Sequence, residues 1–308
     1  MKRGVPESIL RKFVNFRNKL PGLIVRLRRA WNKNRTSSPF ISGDAIAELV
    51  DYAPFGKNGE VEHVDLERLS LAKSIFIPAH LLSNFTEMYG GYVNASTLVT
   101  GNSDENFISL PNLPESVQVW IGQNIAIGSK SVGKIELHTL PIGLENLALG
   151  RSGIPRYFKV SSPEIRNRVF VPPMSPTNPI RKNVLEDIKT TSGSFDVYTE
   201  YLLPKNYFTL ANRYRFVLCL EGNGFENHRV WETLYRNGFP VMFRSTWSLS
   251  LQPLNLPIFY IDNLDDCSIE ALTEFELRNQ HFLAQGKASL WTSYWSKLIS
   301  GGKGSDLG

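Results

Sequence analysis

Short, unbroken apolar runs alternate with polar segments along most of the chain. Such runs are typical of strands that are buried on both faces of a parallel sheet. Segments with apolar residues at helical spacing follow several of them, and these segments begin with polar residues or proline. The pattern predicts strands at 74–80, 96–104, 117–124, 134–143, 168–174, 195–198, 216–221, 239–243 and 258–262, and helices at 80–90, 176–188, 228–238, 268–284 and 288–299.

A polar segment at 151–168, which contains glycine and proline, divides these elements into two series. Within each series strands alternate with helices, which implies a parallel sheet with helices packed on its faces. The predicted fold class is therefore α/β, with one domain at 39–155 and a second at 165–285. Residues 286–308 are predicted to form a C-terminal helix and tail.

The first 38 residues differ from the rest of the chain in charge. The net charge is +5, but residues 1–35 carry eleven Lys and Arg against one acid, Glu7, which leaves −5 for the remainder. Apolar residues recur at helical spacing on both sides of Pro21-Gly22. One interpretation of 1–38 is a basic amphipathic helical arm that lies on an anionic membrane surface. The alternative is a helix packed on the protein's own body, with its cations in solvent.

These features also limit the partners that we expect. No apolar run in the arm is long enough to span a bilayer, so we expect a cytoplasmic protein, peripheral on the inner membrane face if the arm binds lipid. An acidic body is a poor partner for nucleic acid, and no specific nucleic-acid binding is expected. Two cysteines, Cys219 and Cys267, exclude a disulfide framework. The five histidines are scattered, so no metal and no cofactor are expected.

A strand-to-helix junction within residues 216–243 carries many polar side chains around two glycines. Ligands of open α/β sheets bind at the carboxyl ends of strands, where Gly222 and Gly224 would let a ligand approach the backbone. Arg229, in the first turn of the next helix, suits a phosphate, which a helix N-terminus also attracts. Glu232 lies one turn further on the same face and could accept hydrogen bonds from ribose hydroxyls. The alternative is a simple turn followed by a helix cap.

The order of residues in this junction resembles a motif of exostosin-like glycosyltransferases, especially their short bacterial and viral forms. In those proteins a strand leads into the pattern G-N-G-x-(acid)-x-H-R-x-W-E-x-L, followed by a glycine, a proline and another strand. This chain has the same order at Gly222, Asn223, Gly224, Glu226, His228, Arg229, Trp231, Glu232, Leu234, Gly238 and Pro240.

Shorter segments that resemble motifs of the same family occur at 100–104, at 120–124, at 140–146 and at Thr177-Asn178-Pro179 with Arg181. The resemblance therefore covers residues 40–265 and leaves out the basic arm. It departs from the family at Gly101, where the family pattern has a histidine.

The resemblance implies a GT-B fold, in which two Rossmann-like α/β domains face a cleft and a last helix crosses back to the first domain. The C-terminal domain would bind a nucleotide-diphosphate sugar, and the N-terminal domain a glycan or lipid-linked acceptor, in the synthesis of a surface glycan. Such enzymes are usually metal-independent, and no two aspartates here are separated by a single residue, as in Asp-x-Asp metal motifs. The expected donor-binding residues are Asn178, Arg181, Gly222, Asn223, Gly224, Glu226, His228, Arg229 and Glu232.

An inverting transfer also needs a base for the acceptor hydroxyl. Asp104, at the carboxyl end of a predicted strand, is the first candidate, Asp44 the second and Glu105 the third. The alternative for Asp104 is a turn cap. Arg229 and Glu232 are expected to face the cleft, so that replacing them should lower the melting temperature only slightly. A second function class stays open, namely a noncatalytic sugar- or nucleotide-binding protein on the same fold.

Overall fold

The structure, a computed structural model, describes residues 35–54, 63–158 and 163–301. The predicted arm lies almost wholly outside these residues, so its membrane and packing interpretations stay predictions. The described chain contains two five-stranded sheets, one in each half. The predicted α/β class is therefore confirmed.

The first sheet has the strand order β1-β2-β3-β5-β4 and is parallel except for β4, which pairs antiparallel with β5. Its first three strands are almost wholly buried on both faces, because successive side chains enter different cores. Ile75 and Trp120 belong to one apolar cluster, whereas the following residues, Phe76 and Ile121, belong to another. The elements are α1 (Gly43–Ala47), α2 (Leu66–Leu71), β1 (Ser74–Pro78), α3 (Leu82–Tyr89), β2 (Thr97–Gly101), β3 (Val119–Gly122), β4 (Ser131–Val132) and β5 (Ile135–Thr139).

The second sheet has the order β10-β9-β8-β6-β7, and every pair in it is parallel. One large apolar cluster, which includes Phe170, Phe216 and Trp231, fills the space between this sheet and its helices. The elements are β6 (Ile165–Val171), α4 (Pro179–Asp187), β7 (Phe195–Val197), α5 (Pro204–Ala211), β8 (Tyr214–Leu218), α6 (His228–Tyr235), β9 (Phe239–Phe243), α7 (Thr246–Leu249), β10 (Phe259–Ile261), α8 (Ile269–Arg278), α9 (Gln280–Gln285) and α10 (Thr292–Ile299).

The last helix, α10, packs against the first sheet rather than the second. Trp295, Leu298 and Ile299 share a core with Phe76 and Val99. The main chain at Thr292 also donates to the carbonyl of Pro39 at 3.0 Å. The C-terminal helix therefore packs on the first half of the chain, although it follows the second sheet in sequence.

Most predicted elements correspond to observed ones, and the differences have local causes. The helix predicted at 268–284 is broken at Asn279, whose φ of −106° and ψ of 17° end α8 and begin α9. Helices α1, α2 and α7 have six or fewer residues, too short for apolar spacing to show. Within residues 35–54, 63–158 and 163–301, no helix combines the length and hydropathy needed to cross a membrane.

Candidate functional site

The second sheet has a switch point between β6 and β8, because the strands that follow in sequence continue outward on opposite sides of this pair. In open α/β sheets the crevice at the carboxyl ends of such strands is the usual ligand site. Here the segments at that position are residues 172–178, which follow β6, and residues 219–227, which follow β8. Both segments contain residues that the sequence assigns to the donor site.

Arg181 connects the two sides of this crevice. Its Nε donates to the carbonyl of Glu221 at 2.7 Å, and its Nη1 donates to the carbonyl of Ser175 at 2.9 Å. Burial, and then the positive charge of nearby Arg229, lower the pKa of the Arg181 guanidinium below its ordinary value. Two cations therefore lie close together at the switch point.

Arg229 approaches the crevice from the first turn of α6. Its Nη2 donates to the carbonyl of Pro173 at 2.7 Å, and its guanidinium carbon lies 4.8 Å from the centroid of the Tyr207 ring. The side chain is half-buried. An oxyanion placed between Arg181 and Arg229 would relieve their mutual repulsion and gain charge-assisted hydrogen bonds.

Two helices begin at the same crevice, each with an asparagine cap. Asn178 Oδ1 accepts from the α4 main chain at 3.0 Å, while its Nδ2 donates to the carbonyl of Gly222 at 3.2 Å. Asn227 Oδ1 accepts from the N–H of Arg229 at 2.9 Å, and its Nδ2 donates to the carbonyl of Leu220 at 2.6 Å. The positive ends of both helix dipoles are thus directed at the switch point.

The loop 222–228 makes a series of hydrogen bonds to the first sheet's loops. The N–H of Phe225 donates to Asn106 Oδ1 at 2.9 Å, and the N–H of Glu226 donates to Asn124 Oδ1 at 2.9 Å. Asn223 Nδ2 donates to Asp104 Oδ2 at 3.1 Å. The carboxyl ends of both sheets are therefore held against each other by this loop.

The two glycines of the loop allow close contacts with other parts of the protein, which the sequence did not predict. A Cβ on Gly224 would lie 2.9 Å from Asn124 Nδ2 and 3.0 Å from the carbonyl oxygen of Asp104. A Cβ on Gly222 would lie 3.1 Å from Arg181 Nη2. Gly224 therefore allows the first domain to approach the loop closely. The sequence predicted that a ligand approaches the backbone at this position.

Glu226 is buried in this contact, with only 3% of its surface exposed. Trp231 Nε1 donates to its Oε1 at 2.5 Å, and the main chain of Ile142 in the first domain lies near its carboxyl group. Burial raises the pKa of Glu226 to about 8, against the opposing effects of the Ile142 main chain and of Trp231. The buried carboxyl group of Glu226 therefore lies at the contact between the domains. The sequence predicted instead that Glu226 binds the donor.

Glu232 is also buried, with 4% of its surface exposed, so the expectation that it faces an open cleft is wrong. The reason is that α6 is covered on nearly all sides, and every residue from Val230 to Tyr235 is buried. Burial raises the pKa of Glu232, and the positive charges of Arg229 and Arg236 oppose this effect. Its carboxylate thus balances the charges of buried Arg236 and half-buried Arg229.

A cleft of about 330 Å³ lies where the two domains meet. It is lined by residues that follow β1, β2 and β5, among them His80, Asp104 and Glu145, and by His228 from the second domain. Asp104, the first-choice base, is exposed here. Glu105 lines a neighbouring cavity of about 400 Å³, which it shares with His80.

Asp44, the second candidate base, lies beneath this cleft and is 3% exposed. Its Oδ1 accepts from the Ser42 hydroxyl, and its Oδ2 accepts from the N–H of Leu147 at 3.0 Å. Its own N–H donates to Asn146 Oδ1, and Asn146 Nδ2 donates to Asn102 Oδ1 at 3.0 Å. The Asp44 carboxylate therefore supports the loops around the cleft and does not line it.

Gly101 is the position at which the family pattern has a histidine. The side chain of Gln123 occupies the space next to Gly101 that a histidine side chain would need. A Cβ on Gly101 would lie 3.1 Å from the Gln123 side-chain amide. Gln123 is 1% exposed, so a larger side chain at position 101 would have to displace a buried group.

Sequence reasoning missed Asn106 and Asn124, which hold the second domain's loop. A signal existed for Asn124, since it follows a buried strand at its carboxyl end, as Asp104 does. In the described part of the chain, no three His, Cys, Asp or Glu side chains are grouped closely enough to hold a metal ion.

Comparison with known proteins adds no family to this description. A scan against protein-family models matches none of them to the chain, and a search of curated proteins finds no match.

Proposed function

We propose that the protein is a glycosyltransferase, which moves a sugar from a nucleotide-diphosphate sugar to a glycan or lipid-linked acceptor. One observation carries the proposal, namely the convergence of Arg181, Arg229 and the N-termini of α4 and α6 at the switch point of the second sheet. This combination suits a diphosphate, because guanidinium groups and free helix N–H groups are the protein's usual phosphate ligands.

The same groups suit the chemistry of transfer. When the bond between the sugar and the diphosphate breaks, negative charge develops on the leaving oxygen. Arg181, Arg229 and the helix dipoles would stabilise that charge, as a divalent ion does in other enzymes. The acceptor hydroxyl would attack from the cleft lined by Asp104 and His228, inverting the anomeric carbon and giving its proton to a base in that cleft.

The arrangement of the two domains also fits this proposal. The loops after β2 and β3 contact the loop after β8, so an acceptor held by the first domain would meet a donor held by the second. This is the arrangement expected of a GT-B enzyme. In the proposal, residues 1–35 bring the enzyme to an anionic inner membrane face, where lipid-linked acceptors are found.

A noncatalytic nucleotide- or sugar-binding protein is the second candidate. It is favoured by Gly101 in place of the family's histidine. Such a protein would bind the same ligand without turning it over.

Thermal shift and calorimetry with UDP, GDP and a panel of their sugars test the proposal. A ligand that binds only the folded protein adds about 2.7 kcal/mol of stability at a hundred times its Kd. We expect one nucleotide series to stabilise the protein and the matching sugar to be turned over, with and without excess EDTA. Binding without turnover would favour the second candidate, and the absence of any stabilisation would refute both.

A further inference from the structure

His228 makes a hydrogen bond that fixes the protonation of its ring. Its Nδ1 lies 2.9 Å from the carbonyl oxygen of Gly143. Because a carbonyl oxygen can only accept, Nδ1 must carry the proton in this contact. In the neutral ring the other nitrogen, Nε2, then holds an unshared electron pair.

The partner of this hydrogen bond is held firmly in place. Gly143 has a φ of +65°, a conformation that glycine adopts without strain. A Cβ at this position would lie 2.1 Å from the carbonyl oxygen of Ile41, so the turn is closely packed. The next N–H, of Leu144, donates to the same Ile41 oxygen at 2.7 Å. The Gly143 carbonyl is therefore a rigid point that orients the imidazole.

The imidazole lies beside the position proposed for the acceptor hydroxyl. His228 is half-buried, is the first residue of α6 and lines the cleft of about 330 Å³ together with Asp104. It stands next to Arg229, which borders the switch-point crevice from the same helical turn. The ring thus lies between the proposed diphosphate position and the first domain's side of the cleft.

We propose that His228, and not Asp104, is the catalytic base, and that its Nε2 takes the proton of the acceptor hydroxyl. This inference rests on the proposed glycosyltransferase function. As the acceptor oxygen bonds to the anomeric carbon, its proton passes to Nε2, and the electron pair of the breaking bond leaves with the diphosphate. The resulting imidazolium keeps its Gly143 contact and later loses its proton to water.

The charged surroundings of the ring suit a group that becomes positive for a short time. Glu232, on the same helix, attracts it electrostatically, and Glu145 and Asp104 line the same cleft. Arg229 and Arg151 oppose the added charge. Asp104 is less suited to the role, because it is exposed and already accepts a hydrogen bond from Asn223. Imidazole is also the side chain that most often acts as a general base.

Two substitutions separate proton transfer at Nε2 from hydrogen bonding by the side chain. His228→Asn keeps an amide donor near the position of Nδ1 but removes Nε2, whereas His228→Gln places its amide near Nε2. His281→Asn is the matched control, because His281 is exposed on α9. The assay measures the release of UDP or GDP from the panel of sugars in the presence of mixed monosaccharide acceptors.

We expect His228→Asn to lower kcat by about a hundredfold to ten-thousandfold, the usual contribution of a general base. The acidic limb of the pH–rate profile should disappear, while the Kd for UDP or GDP and the melting temperature stay near those of the parent. His228→Gln should be as inactive as His228→Asn. Loss of UDP and GDP binding together with activity would overturn the assignment and make His228 a donor ligand, as would activity within threefold of the parent.

The tautomer provides a test that does not need turnover. Nitrogen-15 NMR of the histidine rings at neutral pH should show His228, assigned by its absence in His228→Asn, with the proton on Nδ1. A proton on Nε2 would overturn the inference while leaving the proposed function untouched. A parent protein that turns over no donor would overturn the proposed function, and the base assignment with it.

Discussion

Asn124 Oδ1 accepts a hydrogen bond from the main-chain N–H of Glu226 at 2.9 Å, and this bond joins the turn after β3 to the loop after β8. Asn124 has a φ of +54°, a left-handed conformation that asparagine tolerates better than most residues. The bond connects the carboxyl ends of the two sheets, where ligands of such sheets bind. Contact between the domains therefore depends on a few loop residues at the carboxyl ends of both sheets.

The first prediction concerns Gly224, which makes this contact possible. Gly224→Ala places a Cβ 3.0 Å from the carbonyl oxygen of Asp104, a backbone atom that cannot move alone. We expect a loss of about 1–3 kcal/mol in the free energy of unfolding, as for other overpacked sites. Small-angle scattering should show a larger radius of gyration, since the domains must separate.

Gly91→Ala is the matched control for Gly224→Ala. No atom lies within 4 Å of the position of its Cβ, so the added methyl group meets no neighbour. If the two variants have the same stability and radius, the loop at Gly224 does not hold the domains together.

The second prediction concerns the phosphate ligands. Arg229→Ala should weaken the binding of UDP or GDP by about tenfold to a hundredfold, because a charge-assisted bond is worth about 1.5–3 kcal/mol. Binding of uridine or guanosine should change much less, because these ligands have no phosphate. Calorimetry on the folded variant measures both, with Arg213→Ala as the control because Arg213 is exposed and pairs with Glu164. Equal losses for nucleoside and diphosphate would contradict a phosphate contact.

The third prediction separates Asp104 from His228. Asp104→Asn keeps an oxygen that can accept from Asn223, so the contact between the domains should survive. We expect kcat to fall by less than about tenfold, well below the loss of a general base. A hundredfold fall with unchanged nucleotide binding would make Asp104 the base and remove His228 from that role.

The fourth prediction concerns Glu232, for which the sequence suggested a small effect on stability. Its carboxylate is buried near half-buried Arg229 and buried Arg236, so Glu232→Gln leaves both cations without their counter-charge. Removing one member of a buried charged group typically costs about 3–5 kcal/mol. Urea unfolding should show a clear loss, whereas Glu270→Gln, at an exposed position in the first turn of α8, should cost at most the helix-dipole contribution of about 0.3–1 kcal/mol. Parent-like stability of Glu232→Gln would restore the cleft-facing interpretation.

The fold could be predicted from the sequence because apolar runs are a local signal. Runs such as 216–218 are buried on both faces, and their length and composition alone indicate parallel strands. The position of Arg229 near the switch point could be predicted for a similar reason, since it lies in the first turn of the helix that follows β8, whereas Arg181 was indicated by the family resemblance alone. The burial of Glu226 and Glu232 could not, because it depends on Ile142, Arg236 and other residues distant in sequence.

The last prediction concerns Glu226, whose pKa burial raises to about 8. A raised carboxyl pKa means that the folded protein binds the proton more tightly than the unfolded chain does, in which the ordinary value is 4.5. Stability from this group is therefore fully present below pH 4.5 and is lost as the pH rises toward about 8. Glu226→Gln keeps an oxygen for Trp231 and cannot ionise, so its free energy of unfolding should lack this decline.

Urea unfolding of the parent and of Glu226→Gln at pH 5.5, 7 and 8.5 measures the effect, because the difference between them cancels most other titrating groups. The parent should lose stability relative to Glu226→Gln at each step, and its radius of gyration should grow at pH 8.5, since a buried carboxylate at the domain contact favours opening. Glu115→Gln, at an exposed position, should follow the parent at every pH. A difference that stays constant from pH 5.5 to 8.5 would mean that Glu226 does not change its ionisation in this range. Its burial between the domains would then not raise its pKa.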